Sequence, residues 1–338
     1  MPPLCILSKA RATTNPANHT DRYHVSNLAT RVLVAAVGIP VILLVTMTGG
    51  FYFYAMVLLI ALLAIHEVFA LARAKGVSPQ AGAGMTLGGL LVTAFAYFKV
   101  RLLVVGGLLA RGIHVPFPSM AQSLLILYLV ALPLIMTIEL FRGKPGALVN
   151  IATTIFGASY AGLFLGSLVG LRELFIPEDF PVYAYFPLHG TAVPDDVAGL
   201  LYRWGGYTVI TLFASIWVCD SAAYFAGRSF GRHRLFERVS PNKTWEGAVA
   251  GFLAALAVFQ LARVLVLPYM SVVDALVCGI IAGACGQIGD LAESLLKRDA
   301  GVKDSSSLIP GHGGVLDRFD SLLFVAPLVF VYLDFIVF

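Results

Sequence analysis

Long apolar runs and short polar segments alternate along most of this chain. Nine of the runs approach the roughly 20 residues that an α-helix needs to cross a bilayer. They cover residues 32–48, 51–72, 80–98, 120–141, 149–171, 206–227, 247–267, 270–290 and 320–338. A further apolar segment, 100–110, is too short to cross alone, and we interpret it as interfacial or re-entrant. The pattern predicts an all-α polytopic integral membrane protein with about nine transmembrane helices.

The composition agrees with this prediction. Of the 338 residues, 59% are hydrophobic and 12% are charged, whereas a soluble domain has about 25% charged residues. No continuous apolar segment precedes residue 32, which argues against a cleavable signal peptide. We expect a polar tail (1–31), an N-terminal transmembrane region of five spans and an outer loop (32–205), and a C-terminal transmembrane region of four spans (206–338).

Basic residues indicate how the predicted spans are oriented. With the N-terminus in the cytoplasm, seventeen of the 23 Lys and Arg residues fall on the inner side and five in outer loops. The outer loop 172–205 is acidic instead. Because Lys and Arg are enriched in cytoplasmic loops, we predict a cytoplasmic N-terminus and a C-terminus outside. The same orientation places two polar loops, 228–243 and 297–318, in the cytoplasm.

Residues 286–321 are densely polar, although apolar spans flank them on both sides. Their acids and bases are Asp290, Glu293, Asp299, Asp304, Asp317, Asp320, Lys297, Arg298, Lys303 and Arg318. Gln287, Asp290, Ser294 and Lys297 recur every three or four residues, so they share one helix face. Polar groups between spans are costly unless they line a cavity or a site. We therefore predict a functional site in this hairpin.

The residue types of the hairpin suit phosphate chemistry. Mg²⁺ takes oxygen ligands, commonly one or two carboxylates together with substrate phosphates, and Asp290 and Asp317 are placed to share one such ion. The candidates for neutralising phosphate oxygens are the four bases, Lys297, Arg298, Lys303 and Arg318. A metal and a cationic clamp are the groups that phosphoryl or nucleotidyl transfer needs.

Three further residues of the hairpin have roles that the sequence leaves open. Asp304 and Asp320 are either metal ligands or partners of the bases. We place Asp320 among the candidate ligands and Asp304 among the candidate catalytic residues. His312, inside a Gly-His-Gly-Gly turn, is a general base, a phosphate donor or a turn residue.

A second group of polar residues lies between 217 and 247. Asp220 and Ser221 fall inside a predicted span, with Arg228 eight residues after Asp220, and an acid within a span is a functional candidate. The motif Ser240-Pro-Asn-Lys243-Thr244 precedes the next span, which places Lys243 at a helix N-terminus. A cation there is unfavourable unless an anion also binds. We predict a second phosphate contact, on a nucleotide or a lipid.

Two other acids near predicted helix ends have a simpler interpretation. Glu67 ends the second span, where its carboxylate is placed to pair with Arg73, and Glu139 lies close to Arg142. We interpret both as acids that neutralise a nearby base at a helix end, and not as site residues.

The motifs of both groups resemble those of the phosphatidate cytidylyltransferases (CDP-diacylglycerol synthases). The resemblance to the family signature is unbroken over the 27 residues from Ser294 to Asp320. The positions that carry it are Ser294, Lys297, Arg298, Lys303, Asp304, Pro310, His312, Gly313, Gly314, Asp317, Arg318 and Asp320. Residues 220–228 and 240–247 resemble the upstream motifs, with Asn242 where the family usually has Lys.

The resemblance implies that CTP and phosphatidate react to give CDP-diacylglycerol and pyrophosphate. It implies an all-helical, homodimeric membrane enzyme that uses Mg²⁺ and a second cation such as K⁺, with Asp290 and Asp317 as metal ligands. Membrane lipids are the other expected partners, and no nucleic acid is expected. We expect the protein in the bacterial inner membrane, with its site facing the cytoplasm.

Other functions stay open when the residues are considered alone. An ion-coupled transporter could relay cations through Asp220 and Asp290, although the chain has no convincing internal repeat of the kind that many transporters have. A non-catalytic lipid-binding or scaffold protein is a second alternative. Within the enzymes, a CTP-dependent polyprenol or phytol kinase and an ether-lipid CDP synthase are the nearest rivals.

Overall fold

The computed structural model describes residues 17–113, 116–177, 180–186, 193–311 and 313–338, with residues 17–31 and 98 described by their backbone. Over these residues the chain forms thirteen α-helices, three short π-helical segments and one two-stranded ribbon. His312 lies outside the described residues.

Eight helices occupy the part of the chain before residue 190. They are α1 (Ala17–Thr48), α2 (Gly50–Ala74), α3 (Ala81–Phe95), α4 (Tyr97–Leu109), α5 (Met120–Arg142), α6 (Ala147–Gly157), α7 (Phe164–Glu173) and α8 (Val182–Tyr185). Between α1 and α2, Gly49 and Gly50 have φ values of 61° and 60°. Glycine favours this left-handed backbone because it has no Cβ, so the chain reverses sharply there. A π-helical segment, Ala158–Leu163, joins α6 to α7.

The remaining five helices and both strands follow residue 194. They are α9 (Asp195–Phe230), β1 (Arg234–Phe236), β2 (Ser240–Thr244), α10 (Trp245–Leu265), α11 (Val272–Ile280), α12 (Gly286–Asp299) and α13 (Leu316–Tyr332). The π-helical segment Ile281–Cys285 joins α11 to α12, and a second, Leu333–Val337, extends α13. Strands β1 and β2 pair antiparallel, with Arg234 opposite Thr244.

Seven helices of the described chain are long and apolar enough to cross a membrane. They are Gly50–Ala74, Met120–Arg142, Ala147–Glu173, Asp195–Phe230, Trp245–Leu265, Val272–Asp299 and Leu316–Val337. Each of them overlaps one of the nine predicted runs. An all-α polytopic membrane protein is thus confirmed, with the short β1–β2 ribbon as an addition that hydropathy did not predict.

The other two predicted spans differ from the helices observed. The run 32–48 is the apolar part of α1, Val32–Thr48, which is shorter than the seven long helices. The run 80–98 covers α3, and the chain then bends by 86° into the apolar helix Lys99–Leu109, so the two form at most one broken span. The interfacial or re-entrant interpretation of 100–110 stays a prediction. The count of nine spans and the orientation stay predictions.

The helices on both sides of residue 206 share one apolar core. Helix α9 packs along α10, α12 packs along α13, and α13 also contacts α7 and α2. Phe53, Leu165, Leu212 and Val329 belong to a single buried cluster. The predicted boundary at 206 falls within α9. The shared core therefore fixes α2 and α7 against the helices that carry the polar motifs.

Candidate active site

A cavity of about 990 Å³ opens between α9, α10, α12 and the start of α13. Its charged lining residues come from both polar groups singled out in the sequence: Asp220, Arg228, Arg232, Arg234, Lys243, Asp290, Lys297, Asp304, Asp317, Arg318 and Asp320. Phe213, Ile216 and Trp217 add an apolar wall from α9. The cavity therefore offers charged groups and an apolar surface side by side.

Helix α12 presents its predicted polar face to this cavity. Gln287, Asp290 and Lys297 line it, and the Ser294 hydroxyl donates to Asp290 Oδ1 at 3.4 Å. On α12, a Cβ at Gly289 would lie 2.7 Å from the backbone oxygen of Asp320. The missing side chain thus permits the close approach of α12 and α13 that brings their acids to one cavity.

Lys243 links the second polar group to the first. Its ammonium lies 2.5 Å from Asp290 Oδ2, and the two side chains are 28% and 30% exposed. Lys243 stands at the end of β2, and the Thr244 hydroxyl caps α10 by accepting from the Gly247 amide at 3.2 Å. The predicted position of Lys243 at a helix N-terminus is confirmed. In this structure its counter-charge is the Asp290 carboxylate.

Three carboxylates of the cavity act electrostatically on one another. Asp290 interacts with both Asp220 and Asp320, and those two acids interact with each other. Lys243 offsets the charge at Asp220 and Asp320, and Arg318 offsets it at Asp220. Like charges repel, so nearby cations stabilise this group, which we call the acid cluster. Its members are Asp220, Asp290 and Asp320.

Lys297 forms a more deeply buried ion pair network. Its ammonium donates to Asp317 Oδ1 at 2.5 Å and lies 2.6 Å from Glu293 Oε2. The side chains of Lys297, Asp317 and Glu293 are 12%, 5% and 0% exposed. One ammonium therefore serves two carboxylates in a place that water barely reaches.

Asp317 also organises the loop that precedes α13. Its Oδ2 accepts from the Ser305 amide at 3.0 Å and the Gly314 amide at 2.7 Å, and it lies 2.9 Å from the Ser305 hydroxyl. Gly313 has a φ of 82°, and a Cβ there would lie 2.8 Å from Asp317 Oδ2. The glycines of the motif are thus needed for the backbone to wrap closely around this carboxylate.

Glu67 of α2 contacts the loop before α13, and sequence reasoning did not place it beside the candidate site. The interpretation that it pairs with Arg73 is wrong. Glu67 is 2% exposed. Its carboxylate accepts hydrogen bonds from the loop 305–316, which we call the motif loop, at Ser305, Ser306, Val315 and Leu316. The available signal was the acid within a span, which is a functional candidate by default.

The corresponding interpretation of Glu139 is confirmed. Its carboxylate accepts from Arg142 at 2.7 Å, Gln80 at 2.7 Å and Asn150 at 2.7 Å. These residues join α5 to α6 and to the segment before α3. None of the four lines the cavity.

Four predicted site residues lie away from the cavity wall of the described chain. The Ser221 hydroxyl donates to the Trp217 carbonyl of its own helix at 2.7 Å. Arg298 donates to the Val302 carbonyl at 3.2 Å, where it holds the end of α12. Ser240 begins β2 opposite Phe236, and Lys303 is an exposed loop residue. The remaining predicted residues line the cavity, apart from His312, which is not described.

The acid cluster fits a metal ion only in part. Within the described residues, no three His, Cys, Asp or Glu side chains form a group that could hold an ion by themselves. Carboxylate oxygens are nevertheless the ligands that Mg²⁺ prefers, and Mg²⁺ commonly takes one or two of them together with substrate phosphates. The cluster therefore suits an ion whose shell is completed by substrate. Mg²⁺ and K⁺ stay predictions.

The fold and the site together define a class of protein. It is a polytopic helical membrane protein whose acids and bases surround a cavity at the helix ends. Residues 29–336 match the sequence model of the cytidylyltransferase family. This chain belongs to that family, and it is a nucleotidyltransferase.

Named relatives match this chain over different lengths of sequence. A phosphatidate cytidylyltransferase of Synechocystis sp. is 35% identical over 303 residues, which are 89% of this chain and 95% of the relative. Phosphatidate cytidylyltransferase 5, chloroplastic, of Arabidopsis thaliana is 32% identical over 294 residues, or 85% of this chain and 67% of the relative. The Bacillus subtilis phosphatidate cytidylyltransferase is 48% identical over 121 residues, or 35% of this chain and 44% of the relative. These relatives confirm the family resemblance drawn from the motifs.

Proposed function

We propose that this enzyme transfers the cytidylyl group of CTP to phosphatidate, giving CDP-diacylglycerol and pyrophosphate. The main support is the alignment with the Synechocystis phosphatidate cytidylyltransferase, which covers 95% of that protein. In addition, the residues that resemble the family signature and its upstream motifs include most of the charged wall of the cavity. A phosphate-bearing lipid also suits a cavity that has charged and apolar walls together.

In the proposed reaction, an oxygen of the phosphatidate phosphate attacks the α-phosphorus of CTP. A new phosphorus–oxygen bond forms, and the bond from the α-phosphorus to the bridging oxygen breaks, so pyrophosphate leaves. A phosphate monoester has its second pKa near 6 and is largely a dianion at neutral pH. No strong general base is needed, which favours a turn or phosphate-binding role for His312.

The bases of the cavity are the proposed phosphate contacts. Lys243 and Lys297 each face a carboxylate in the free protein, so arriving phosphates would exchange with those carboxylates as partners. Arg228 and Arg318 line the same space. Charge-assisted hydrogen bonds to phosphate are strong and become more so in a water-poor site. These residues would hold CTP and stabilise the departing pyrophosphate.

We propose Mg²⁺ as the cofactor, with Asp290, Asp317 and Asp320 as its ligands and K⁺ as a second ion. A bound divalent ion would offset the negative charge that two phosphate substrates bring together. Asp290 and Asp320 belong to the acid cluster, which supports their assignment. Asp317 is engaged by Lys297 and the loop, so its role as a ligand requires one of those bonds to open.

The remaining parts of the proposal concern the surroundings of the enzyme. We propose a multi-pass protein of the bacterial inner membrane, with the cavity facing the cytoplasm, where CTP is available. The acyl chains of phosphatidate would stay in the lipid while its phosphate reaches the cavity. The protein would act as a homodimer.

The decisive experiment uses the purified protein in detergent with phosphatidate, Mg²⁺ and CTP labelled at its α-phosphate. We expect the label in a CDP-lipid and one unlabelled pyrophosphate for each lipid formed. A CTP-dependent lipid kinase would instead leave the label in water-soluble CDP, and a transporter would form neither product. A folded protein that labels no lipid would contradict the proposed function.

A further inference from the structure

We propose that Glu67 is a positioning residue for catalysis, which holds the loop 305–316 and, through it, Asp317 and Lys297. This inference rests on the proposed function, because it concerns the same cavity. Glu67 does not line the cavity of the described residues, whereas Asp317 and Lys297 do. Any effect of Glu67 on the reaction must therefore pass through the loop.

The motif loop occupies both oxygens of the Glu67 carboxylate. Oε1 accepts from the Ser306 hydroxyl at 2.6 Å and the Val315 amide at 2.9 Å. Oε2 accepts from the Ser305 hydroxyl at 2.9 Å and the Leu316 amide at 2.7 Å. An ionised carboxylate has about four acceptor sites and donates nothing. The loop therefore places a donor at each of these sites, with the one proton of the Ser305 hydroxyl shared between Glu67 and Asp317.

Two of these donors belong to the start of α13. Val315 and Leu316 stand where the first amides of a helix have no partner within the helix, and a negative charge near that end is favourable. Glu67 thus acts as a capping group supplied by α2, from more than 200 positions earlier in the chain. It fixes where α13 begins, one residue before Asp317.

Ser305 joins Glu67 to the cavity, because its hydroxyl, which has one proton, lies between two carboxylates and its amide donates to Asp317. The Ser305 hydroxyl lies 2.9 Å from Glu67 Oε2 and 2.9 Å from Asp317 Oδ2. Asp317 then accepts from Lys297 at 2.5 Å. A shift of the loop would change the position of the Asp317 carboxylate and with it the direction of the Lys297 ammonium. Lys297 is one of the proposed phosphate contacts.

Gly314 also indicates that the motif loop packs tightly against the Glu67 carboxylate. A Cβ at Gly314 would lie 2.6 Å from Glu67 Oε2 and would collide with the Ser305 hydroxyl. The backbone can approach the carboxylate so closely because the residue has no side chain. The contact with Glu67 thus explains why the motif has a glycine at position 314, in addition to any requirement of the turn.

Glu139 provides a matched control for a role in stability alone. Like Glu67 it is a buried glutamate, with 6% exposure, and it accepts several short hydrogen bonds. Its partners do not line the cavity. The substitutions Glu67→Gln and Glu139→Gln should both lower the melting temperature, but only the first should affect the motif loop.

The test compares Glu67→Gln, Glu67→Asp and Glu139→Gln in the purified full-length protein. Hydrogen–deuterium exchange of residues 302–318 reports on the loop without requiring activity. We expect faster exchange there in Glu67→Gln and wild-type exchange in Glu139→Gln. Activity is assayed well below the melting temperatures of all variants. Under these conditions the kcat/KM of Glu67→Gln should be about 10- to 100-fold lower than that of the wild type. Glu67→Asp should recover part of this loss, and Glu139→Gln should match the wild type.

Ser305 and Ser306 provide a second test if Glu67→Gln does not fold. Both hydroxyls donate to Glu67, but only Ser305 also reaches Asp317. Ser305→Ala should therefore lower kcat/KM several-fold more than Ser306→Ala. Equal losses in the two variants would overturn the route through Asp317.

Failure of this inference can be separated from failure of the proposed function. Unchanged exchange of residues 302–318 in Glu67→Gln overturns the inference whatever the enzyme catalyses. Faster exchange with a kcat/KM equal to that of Glu139→Gln overturns the positioning role. If the wild type forms no CDP-lipid, the proposed function fails, and exchange alone decides whether Glu67 holds the loop.

Discussion

Two of the polar groups described above, one around Glu139 and one around Lys243, differ in how their charges are balanced. Around Glu139, one acid meets one base, Arg142, and two amides, Gln80 and Asn150, in a closed arrangement. Around Lys243, the three carboxylates of the acid cluster repel one another, are offset by Lys243 and Arg318, and face a cavity of about 990 Å³. The first group ties helices together, and the second is arranged to receive charge.

The difference shows that burial alone does not identify a functional site in a membrane protein. A buried acid whose hydrogen bonds are complete stabilises the fold and needs nothing further. Acids that repel one another beside an open space cost free energy until a cation or a ligand joins them. The second arrangement is maintained against its own repulsion, which is typical of functional sites.

The largest effect on this comparison should come from Asp290→Asn. Removal of a charge from the acid cluster should lower kcat/KM by about a hundredfold to a thousandfold, the size seen when one preorganised electrostatic group is lost. The measurement is CDP-lipid formation at saturating and limiting CTP. Asp299→Asn is the matched control, because it makes the same change on the same helix at an exposed position. Equal activities of the two variants would contradict the site assignment.

Lys297→Met should impair both activity and stability. It leaves Glu293 and Asp317 without their common cation in a buried place, and breaking a buried ion pair costs about 3–5 kcal/mol. Unfolding in mixed micelles measures this loss. Lys243→Met is the comparison variant, because its ion pair is partly exposed, and we expect it to lose activity with little change in stability. If both variants were equally stable, the distinction between the two lysines would be wrong.

Glu139→Gln should lower stability and leave the chemistry intact. The change weakens charge-assisted hydrogen bonds in a closed group, with an expected loss of about 1–3 kcal/mol in the free energy of unfolding. Melting temperature and kcat/KM, measured on the same preparation, check both parts. A large loss of activity at full stability would show that the Glu139 group is not purely structural.

The smallest effect should come from the exposed pair between Lys75 and Asp299, whose side chains are 48% and 68% exposed. Surface ion pairs contribute between 0 and about 1 kcal/mol. Asp299→Asn should therefore leave both activity and melting temperature close to the wild type, and the difference should shrink further with added salt. A clear loss of activity would extend the functional region to the far end of α12.

Much of the site could be predicted because its residues follow one another along single helices. Helical periodicity places Asp290 and Lys297 on one face of α12, and it places Asp220 and Arg228 on one face of α9; all four line the cavity. The same reasoning fails for Ser221 and Arg298. Periodicity assigns a side chain to a face, but it does not show whether the side chain bonds to its own backbone.

By itself, the sequence determined that this is a helical membrane protein, where its long apolar helices lie and to which family its motifs belong. Hydropathy and helical periodicity are local properties, so a single sequence is enough for them. Only the tertiary structure decided that the chain bends by 86° after α3, and that Lys243 faces Asp290. It also decided that Glu67 caps α13. Each of these depends on how separate helices pack, and positions more than 200 residues apart, such as Glu67 and Ser305, leave no local pattern that relates them.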